Sequence, residues 1–312
     1  MLKYVLKRLG YILVTLWVIV TCTFFMMKNL PGTPFDAERF SIMTPQQQER
    51  VLEMYGLNDS LPMQYVKYIK NMLKGDLGTS FTYVNKDVSK VITGRLGPSA
   101  LIGIQAVLIG LAIGLILGIL AAWKHNSGID YLTMILAVLG VSVPNFVAAA
   151  LLQYYIGLKW GALPVGFWTG WNCSVLPSIA LSFSATAMVA RFMRTEMLDV
   201  LDQDYIVTAR AKGLSQMKVL MRHAVRNSIL PVVTILGPIV VNLMTGSLAV
   251  ENIFSIPGIG SLFVDCIKAN DYPVIMGITI FYAAFYMLIV LLVDLAYSLI
   301  DPRIRLAKGK ES

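Results

Sequence analysis

The chain has 312 residues, 56% of them hydrophobic and only 14% charged, with a formal net charge of +8. Soluble domains carry about a quarter of charged residues, so this composition excludes an ordinary water-soluble globule and indicates an integral membrane protein. The surplus of Lys and Arg is not interleaved with aromatics in a polar module, which argues against nucleic acid as a partner; membrane orientation accounts for it.

Six runs are long and apolar enough to cross a bilayer: Leu9–Met27, Ser99–Trp123, Tyr131–Leu158, Leu176–Arg191, Ile229–Val250 and Val274–Ile300. They are continuous rather than alternating, so the expected fold is all-α and polytopic with six transmembrane helices, not a barrel. Lys3, Lys7 and Arg8 precede the first run, as in a signal peptide. Lys28, Asn29, Leu30 and Pro31 follow it in place of a small-residue cleavage site, so an uncleaved span is expected.

The segment Lys28–Arg95 reads as a helical insert between the first two spans. Thr44 is placed to cap a helix with Pro45 at its first position, running through Gln48, Val51, Leu52 and Tyr55 to Gly56. Leu61–Leu73 repeats the pattern, with Pro62 early and Tyr65, Ile69 and Met72 at helical spacing. Such an insert either caps the bundle or offers a docking surface for a donor protein.

In the second span Gly103, Gly110, Gly114 and Gly118 share a face, and small residues there let helix backbones pack closely. Pro144 and Pro238 each remove a hydrogen bond within the third and fifth runs, so kinks are expected beside Asn145 and Gly237. Intramembrane polar groups are few: Gln105, Asn145, Gln153, Asn242, Thr245 and the single acid Asp294. Ion-coupled transporters gather ionisable groups near the midplane, so this sparse set argues against a stand-alone secondary transporter. Cys22, Cys173 and Cys266 form no framework; a Cys173–Cys266 bridge is a minor alternative.

Fifteen of the 26 Lys and Arg lie in the N-terminus, the Lys124 loop, Arg191–Asn227 and the C-terminus, against Lys159 and Lys268 in the two short loops opposite. The other nine fall in Lys28–Arg95, a segment too long to weigh. The positive-inside rule therefore places both termini and the Arg191–Asn227 loop in the cytoplasm. That loop is long for a connector between spans. Asp202 or Asp204 is expected to cap a short helix from Tyr205 to Lys212, stopped by Gly213. Ala209 and Ala211 keep it slim and Tyr205 offers an anchor, features that suit insertion into a partner protein. Ser215 is expected to cap a second helix, with Met217, Leu220, Met221 and Ala224 on an apolar face and Lys218, Arg222 and Arg226 on another. This second helix reads as interfacial.

Catalytic motifs are missing from the sequence. There is no H-E-x-x-H, no G-x-S-x-G and no Walker A stretch, and Gly258 and Gly260 complete no dinucleotide fingerprint.

Asp204-Tyr205-Ile206-Val207-Thr208-Ala209-Arg210-Ala211-Lys212-Gly213 resembles the coupling loop of type I ABC importer permeases, which carries an E-A-A, three residues, G pattern. Val207, Thr208 and Ala209 align with E-A-A and Gly213 with the glycine; the last alanine and the glycine match. Thr208–Gly213 is similar to the variant in the peptide and nickel permease branch. Further stretches resemble that branch: Phe24–Phe35 (FFMMKNLPGTPF), Gly75–Phe81 (GDLGTSF), Thr245–Phe263 (TGSLAVENIFSIPGIGSLF), Asp271–Gly277 (DYPVIMG) and Ile300–Arg305 (IDPRIR). The resemblance covers essentially the whole chain and is closest to oligopeptide-permease B-type subunits.

The resemblance implies a type I ABC importer permease fold with an extracytoplasmic helical insert after helix 1. The organisation it implies is a first helix at 1–28, the insert at 29–98, a five-helix core at 99–302 with its coupling loop at 192–228, and a cytoplasmic tail at 303–312. It implies a non-catalytic pore-forming subunit in a bacterial cytoplasmic membrane, importing oligopeptides; the same family also serves dipeptides, glutathione and nickel. The implied partners are a second permease subunit in a heterodimer, two cytosolic ABC ATPases, an extracytoplasmic peptide-binding protein, the peptide and membrane lipid. ATP and Mg would sit on the ATPases, with no cofactor or metal on this chain. Asp204, Tyr205, Thr208, Ala209, Arg210, Ala211, Lys212 and Gly213 would form the coupling helix, and Ala209→Glu or Gly213→Pro is expected to uncouple it. Glu251, Phe254, Pro257, Gly258 and Gly260 would form an outer gate or binding-protein contact, unless they are only a structural turn.

Overall fold

The computed structural model describes residues 2–29, 40, 42–54, 56–83, 86–244 and 247–300. Tyr55, Thr245, the side chain of Asp294 and parts of the first, third and last family-like stretches lie outside the described residues. Among those described, the fold is helical, with one isolated antiparallel bridge between Thr79 and Asp87. Among the described residues five helices are long and apolar enough to cross a membrane, and six spans result when one bent pair is counted as a single crossing. The chain divides into two compact units, Met1–Gly97 with Gly258–Met287, and Pro98–Pro257 with Leu288–Ser312.

The first unit begins with α1 (Leu2–Lys28), most of whose apolar surface, including Leu13 and Trp17, is exposed as a lipid-facing helix requires. The expected insert helices form as α2 (Pro45–Met54) and α3 (Leu61–Met72). At the start of α2 the cap is reciprocal: Gln47 N–H donates to Thr44 Oγ1 at 3.4 Å, and Thr44 N–H donates to Gln47 Oε1 at 2.9 Å. Helix α3 packs on α1 through a Thr21–Tyr65 hydroxyl contact of 2.7 Å and the rings of Phe24, Phe25 and Tyr65.

Helix α4 (Val88–Trp123) starts well before the expected Ser99, because the polar residues Ser89, Lys90 and Arg95 lower the hydropathy without breaking the helix. Its first turns meet α12 (Ile259–Lys268) and the start of α13 (Tyr272–Ile300) in a core of Val88, Ile92, Ile259, Leu262, Val274 and Ile278. The fully buried Asp271 ties this core to the loop ahead of α4. Its carboxylate accepts from Ser80 Oγ at 2.5 Å, Thr82 N–H at 3.0 Å and Phe81 N–H at 3.2 Å.

The second unit is built around α7 (Val175–Leu201), the most buried of the candidate spans, entered by a 3-10 turn at Trp171–Ser174. Gly110, Gly114 and Gly118 of α4 lie against it. A Cβ on Gly114 would sit 2.8 Å from Thr186 O, and one on Gly118 would sit 2.6 Å from Ala190 O. Gly103 lies instead against the backbone of Leu243 and Met244 in α10 (Arg226–Met244). The third run is broken rather than kinked. Helices α5 (Gly128–Ser142) and α6 (Asn145–Leu152), the latter continued by a π-helical stretch Gln153–Lys159, meet at 99°. The cause is local: a residue ahead of proline is driven out of the α region, and Val143 sits at φ −82°, ψ 118° with Pro144 at φ −58°, ψ 138°.

Cys173 and Cys266 are each buried free thiols within their own unit. Two of the intramembrane polar residues are engaged within the unit. Gln105 Oε1 accepts from Ser178 Oγ at 2.9 Å, and Gln153 Nε2 donates to Ile253 O at 2.8 Å and to Val165 O.

Candidate functional site

The expected fourth span does not end at Arg191. Arg191, Arg194, Glu196 and Asp199 lower the hydropathy, yet the backbone ladder of α7 runs on to Leu201 and delivers the chain directly to α8 (Asp204–Ala211). The free-standing part of the long loop is therefore short. Gln203, extended at φ −78° and ψ 146°, is the N-cap, in place of Asp202 or Asp204, and no side chain closes the cap. Asp204 falls inside the first turn, where its charge faces the positive end of the helix.

The other end is closed by backbone geometry. Gly213 adopts φ +77°, its N–H donates to Arg210 O at 2.9 Å, and Leu214 N–H reaches Ala209 O at 3.4 Å. This pair of bonds is the Schellman arrangement, and it needs a left-handed residue at the glycine position. A proline there would demand a negative φ, so the glycine is dictated by backbone sterics before any partner is considered.

Helix α8 has two faces with different occupants. Ile206 and Ala209 are buried against Val219, Val200 and Leu201, which seats the helix on the end of α7 and on the segment that follows. Tyr205, Val207, Thr208, Arg210, Ala211 and Lys212 are exposed. The Tyr205 hydroxyl accepts from Asn227 Nδ2 at 3.1 Å, a second strap to the following helix. Ala209 thus faces its own chain, and a Glu there would disrupt the seating of α8 before it touched anything else. Val207, 59% exposed, is the branched aliphatic residue that α8 holds outward.

The second helix of the loop is not a separate amphipathic element. After α9 (Gln216–Lys218) the backbone makes a π-helical stretch, Val219–Val225, and runs straight into α10. The wider turn rotates the side chains away from the expected spacing. Val219, Leu220 and Ala224 are buried, while Met217 and Met221 stay exposed. Ser215 is the N-cap by backbone conformation but makes no side-chain cap bond. Ser228 Oγ then bonds to Glu196 O at 3.1 Å, tying α10 back to α7.

The candidate outer group divides between the two units. In the second unit, Glu251 lies in α11 (Leu248–Ile253), is 2% exposed, and accepts from Ser99 Oγ at 2.7 Å. Phe254 is also buried, and its carbonyl accepts from Phe167 N–H at 2.8 Å. Ile256 N–H closes back onto Glu251 O at 2.8 Å ahead of Pro257. Gly258 and Gly260 belong to the first unit, where Gly258 is the N-cap of α12 and both are buried. Neither Glu251 nor Phe254 presents its side chain at the surface in this conformation.

A largely apolar cavity of about 590 Å³ lies between α5, α6 and α7, lined by residues including Leu136, Gly140, Leu152, Tyr155, Phe183 and Ala187. Among the described residues no group of three or more His, Cys, Asp or Glu is placed to hold a metal ion.

The binding-protein-dependent transport system inner membrane component model matches residues 114–306, and its companion N-terminal model matches residues 1–97. The dipeptide transport system permease protein DppB of Lactococcus lactis subsp. cremoris is 46% identical over 306 residues, covering 98% of this chain and all of the relative. The oligopeptide transport system permease protein OppB of Salmonella typhimurium is 39% identical over 309 residues, covering 98% and 100% respectively. In fold, the chain is similar to an inward-facing methionine ABC transporter (TM-score 0.52, 13% identity, 68% of this chain and 95% of that one). An amino acid ABC transporter crystallised with histidines gives the same TM-score at 20% identity, covering 69% of this chain and 94% of that one. The chain is a multi-pass membrane protein and belongs to the family of binding-protein-dependent transport system inner membrane components.

Proposed function

We propose that this chain is the membrane-spanning subunit of an ATP-driven importer of peptides, and that α8 is the element through which separate ATPase subunits move it. The observation that carries the coupling assignment is the two-faced construction of α8. Ile206 and Ala209 fasten it to its own chain, while Val207, Thr208 and Arg210 are held outward on a helix with both ends defined. A lever needs both properties. A helix fastened only to a partner would move without the spans, and one with nothing outward would receive no push.

The charge distribution supports placing α8 and both termini in the cytoplasm, with the α2–α3 insert on the opposite side. A similar second permease subunit, two ATPases that bind ATP and Mg, and an extracytoplasmic binding protein complete the assembly. The chain itself carries out no catalysis. Glu251, Phe254 and Pro257 serve in the outer gate; the buried Glu251 and Phe254 suit a closed element better than a permanent docking surface.

Peptides are the substrate class that the names of the relatives support, and those names include both dipeptide and oligopeptide permeases. Purification in mild detergent, followed by uptake into proteoliposomes, tests the reading. The expected outcome is recovery with a second permease and two ATPases, and uptake that requires ATP and the binding protein. An active homomer without ATPases overturns it. A peptide-length series run beside glutathione and nickel identifies the substrate.

A further inference from the structure

Near the start of α5 lies an ion pair, with its acid buried and its base partly exposed, that the coupling helix does not itself use. Asp130, 1% exposed, sits in the first turn of α5 and receives a two-pronged contact from Arg194 of α7. Arg194 Nε donates to Oδ1 at 2.6 Å and Nη2 donates to Oδ2 at 2.8 Å. Asn126 N–H adds a bond to Oδ2 at 3.0 Å, and His125 Nδ1 lies 3.1 Å from Oδ2 and 3.2 Å from Arg194 Nη2. A paired fork of this kind fixes orientation as well as distance, which a single lysine contact would not.

Its placement along the chain gives it a task. Arg194 is on the stretch of α7 that runs on to Leu201 and hands over to α8. Asp130 is at the opposite end of α5 from the Val143–Pro144 break. Nearer that break α5 also lies tightly on α7, where a Cβ on Gly140 would be 3.1 Å from both Ala187 Cβ and Phe183 O. Helix α5 is therefore held to α7 at both ends, and the next joint along the chain is the 99° break.

We propose that Asp130 and Arg194 are positioning residues that lock α5 to the α7–α8 arm, so that displacement of α8 is delivered to the break between α5 and α6. The proposal rests on the reading of α8 as the coupling helix. Removing Arg194 alone would leave the buried Asp130 carboxylate without its charge partner and endanger folding, whereas replacing both with apolar residues of similar size removes the two charges together and leaves only the Asn126 N–H to find another acceptor. The informative variant is therefore Asp130→Leu with Arg194→Met, in the complete transporter in proteoliposomes.

The double variant is expected to assemble with the ATPases and to hydrolyse ATP. Its yield of peptide imported per ATP should fall about tenfold, within the range of coupling free energies between distant sites. A merely structural pair, once replaced without loss of assembly or thermal stability, would leave that ratio unchanged; a wild-type ratio overturns the proposal. Should the double variant fail to accumulate, Arg194→Lys keeps the charge and removes the fork. It should lower the ratio too, and a wild-type ratio there has the same overturning force. Val207→Glu, measured in parallel, separates the two readings. If it leaves uptake intact, the assignment of α8 fails. If it abolishes uptake while the ion-pair variants keep the wild-type ratio, only the present inference fails.

Discussion

Asp271 shows how much a single buried side chain can hold. It terminates the loop before α13 and supplies acceptors to Ser80, Phe81 and Thr82, residues about 190 positions earlier in the chain. Asp271→Ala would strand the N–H groups of Phe81 and Thr82 and the Ser80 hydroxyl and remove a 3.5 Å contact from Val274 N–H, a loss of about 3 kcal/mol. The expected result is a lower unfolding temperature in detergent, with Asp271→Asn intermediate because its amide retains one acceptor oxygen. Both stretches were legible in the sequence as family-like motifs; that one closes on the other was not, because spacing along a chain does not encode a contact across it. The neighbouring Cys266 gives an independent check on the same core. Burial, with Asp271 and Asp265 close by, pushes its thiol up to about 12, so the reactive thiolate is scarce at pH 8. Maleimide should leave Cys266 unlabelled in the native protein and modify it after denaturation, as read by mass spectrometry. Native labelling at pH 8 would show that this core opens.

At the scale of elements, hydropathy located the spans but not the ends of the helices. Helix α4 begins before its apolar run and α7 continues beyond its own, because polar side chains at helix ends change solvation while the hydrogen-bond ladder goes on. The seating of α8 was hidden for a related reason. A 3.6-residue period places Met217 and Met221 on the apolar face, whereas around the π-helical stretch Val219–Val225 the buried residues are Val219, Leu220 and Ala224, with Val219 against Ile206 and Ala209. Pro144 was visible as a perturbation, but a single sequence does not reveal whether a proline kinks a helix or ends it. Pro144→Ala tests what the break contributes. Without the ring, Val143 is free to return to the α region and the two helices tend to merge. The expected outcome is a complex that assembles normally and transports more slowly, measured as initial uptake rate at saturating ATP. Unchanged uptake would mean the bend serves packing alone.

For the molecule as a whole, what matters under the proposed function is that two polar groups of the spans among the described residues are already engaged with their own chain. Gln105 is taken by Ser178, and Gln153 is taken by the carbonyls of Ile253 and Val165. The largely apolar cavity beside α7 adds no array of fixed donors and acceptors. Strong discrimination between similar molecules comes from buried polar groups left unpaired by the wrong one, whereas apolar walls separate substrates by only about 1–3 kcal/mol per methylene. Under the proposed function, a path of this kind would accept what is delivered to it, and peptide length would be chosen before the peptide reaches the membrane. Exchanging the extracytoplasmic binding protein for one of different length preference that still docks should therefore change which peptides enter, with this chain unaltered. Uptake of a labelled series from two to six residues, competed in pairs, makes the comparison. If the accepted lengths stay with the membrane subunits after the exchange, the selective contacts lie within the spans, and the polar residues of α4, α6 and α10 become the first places to look.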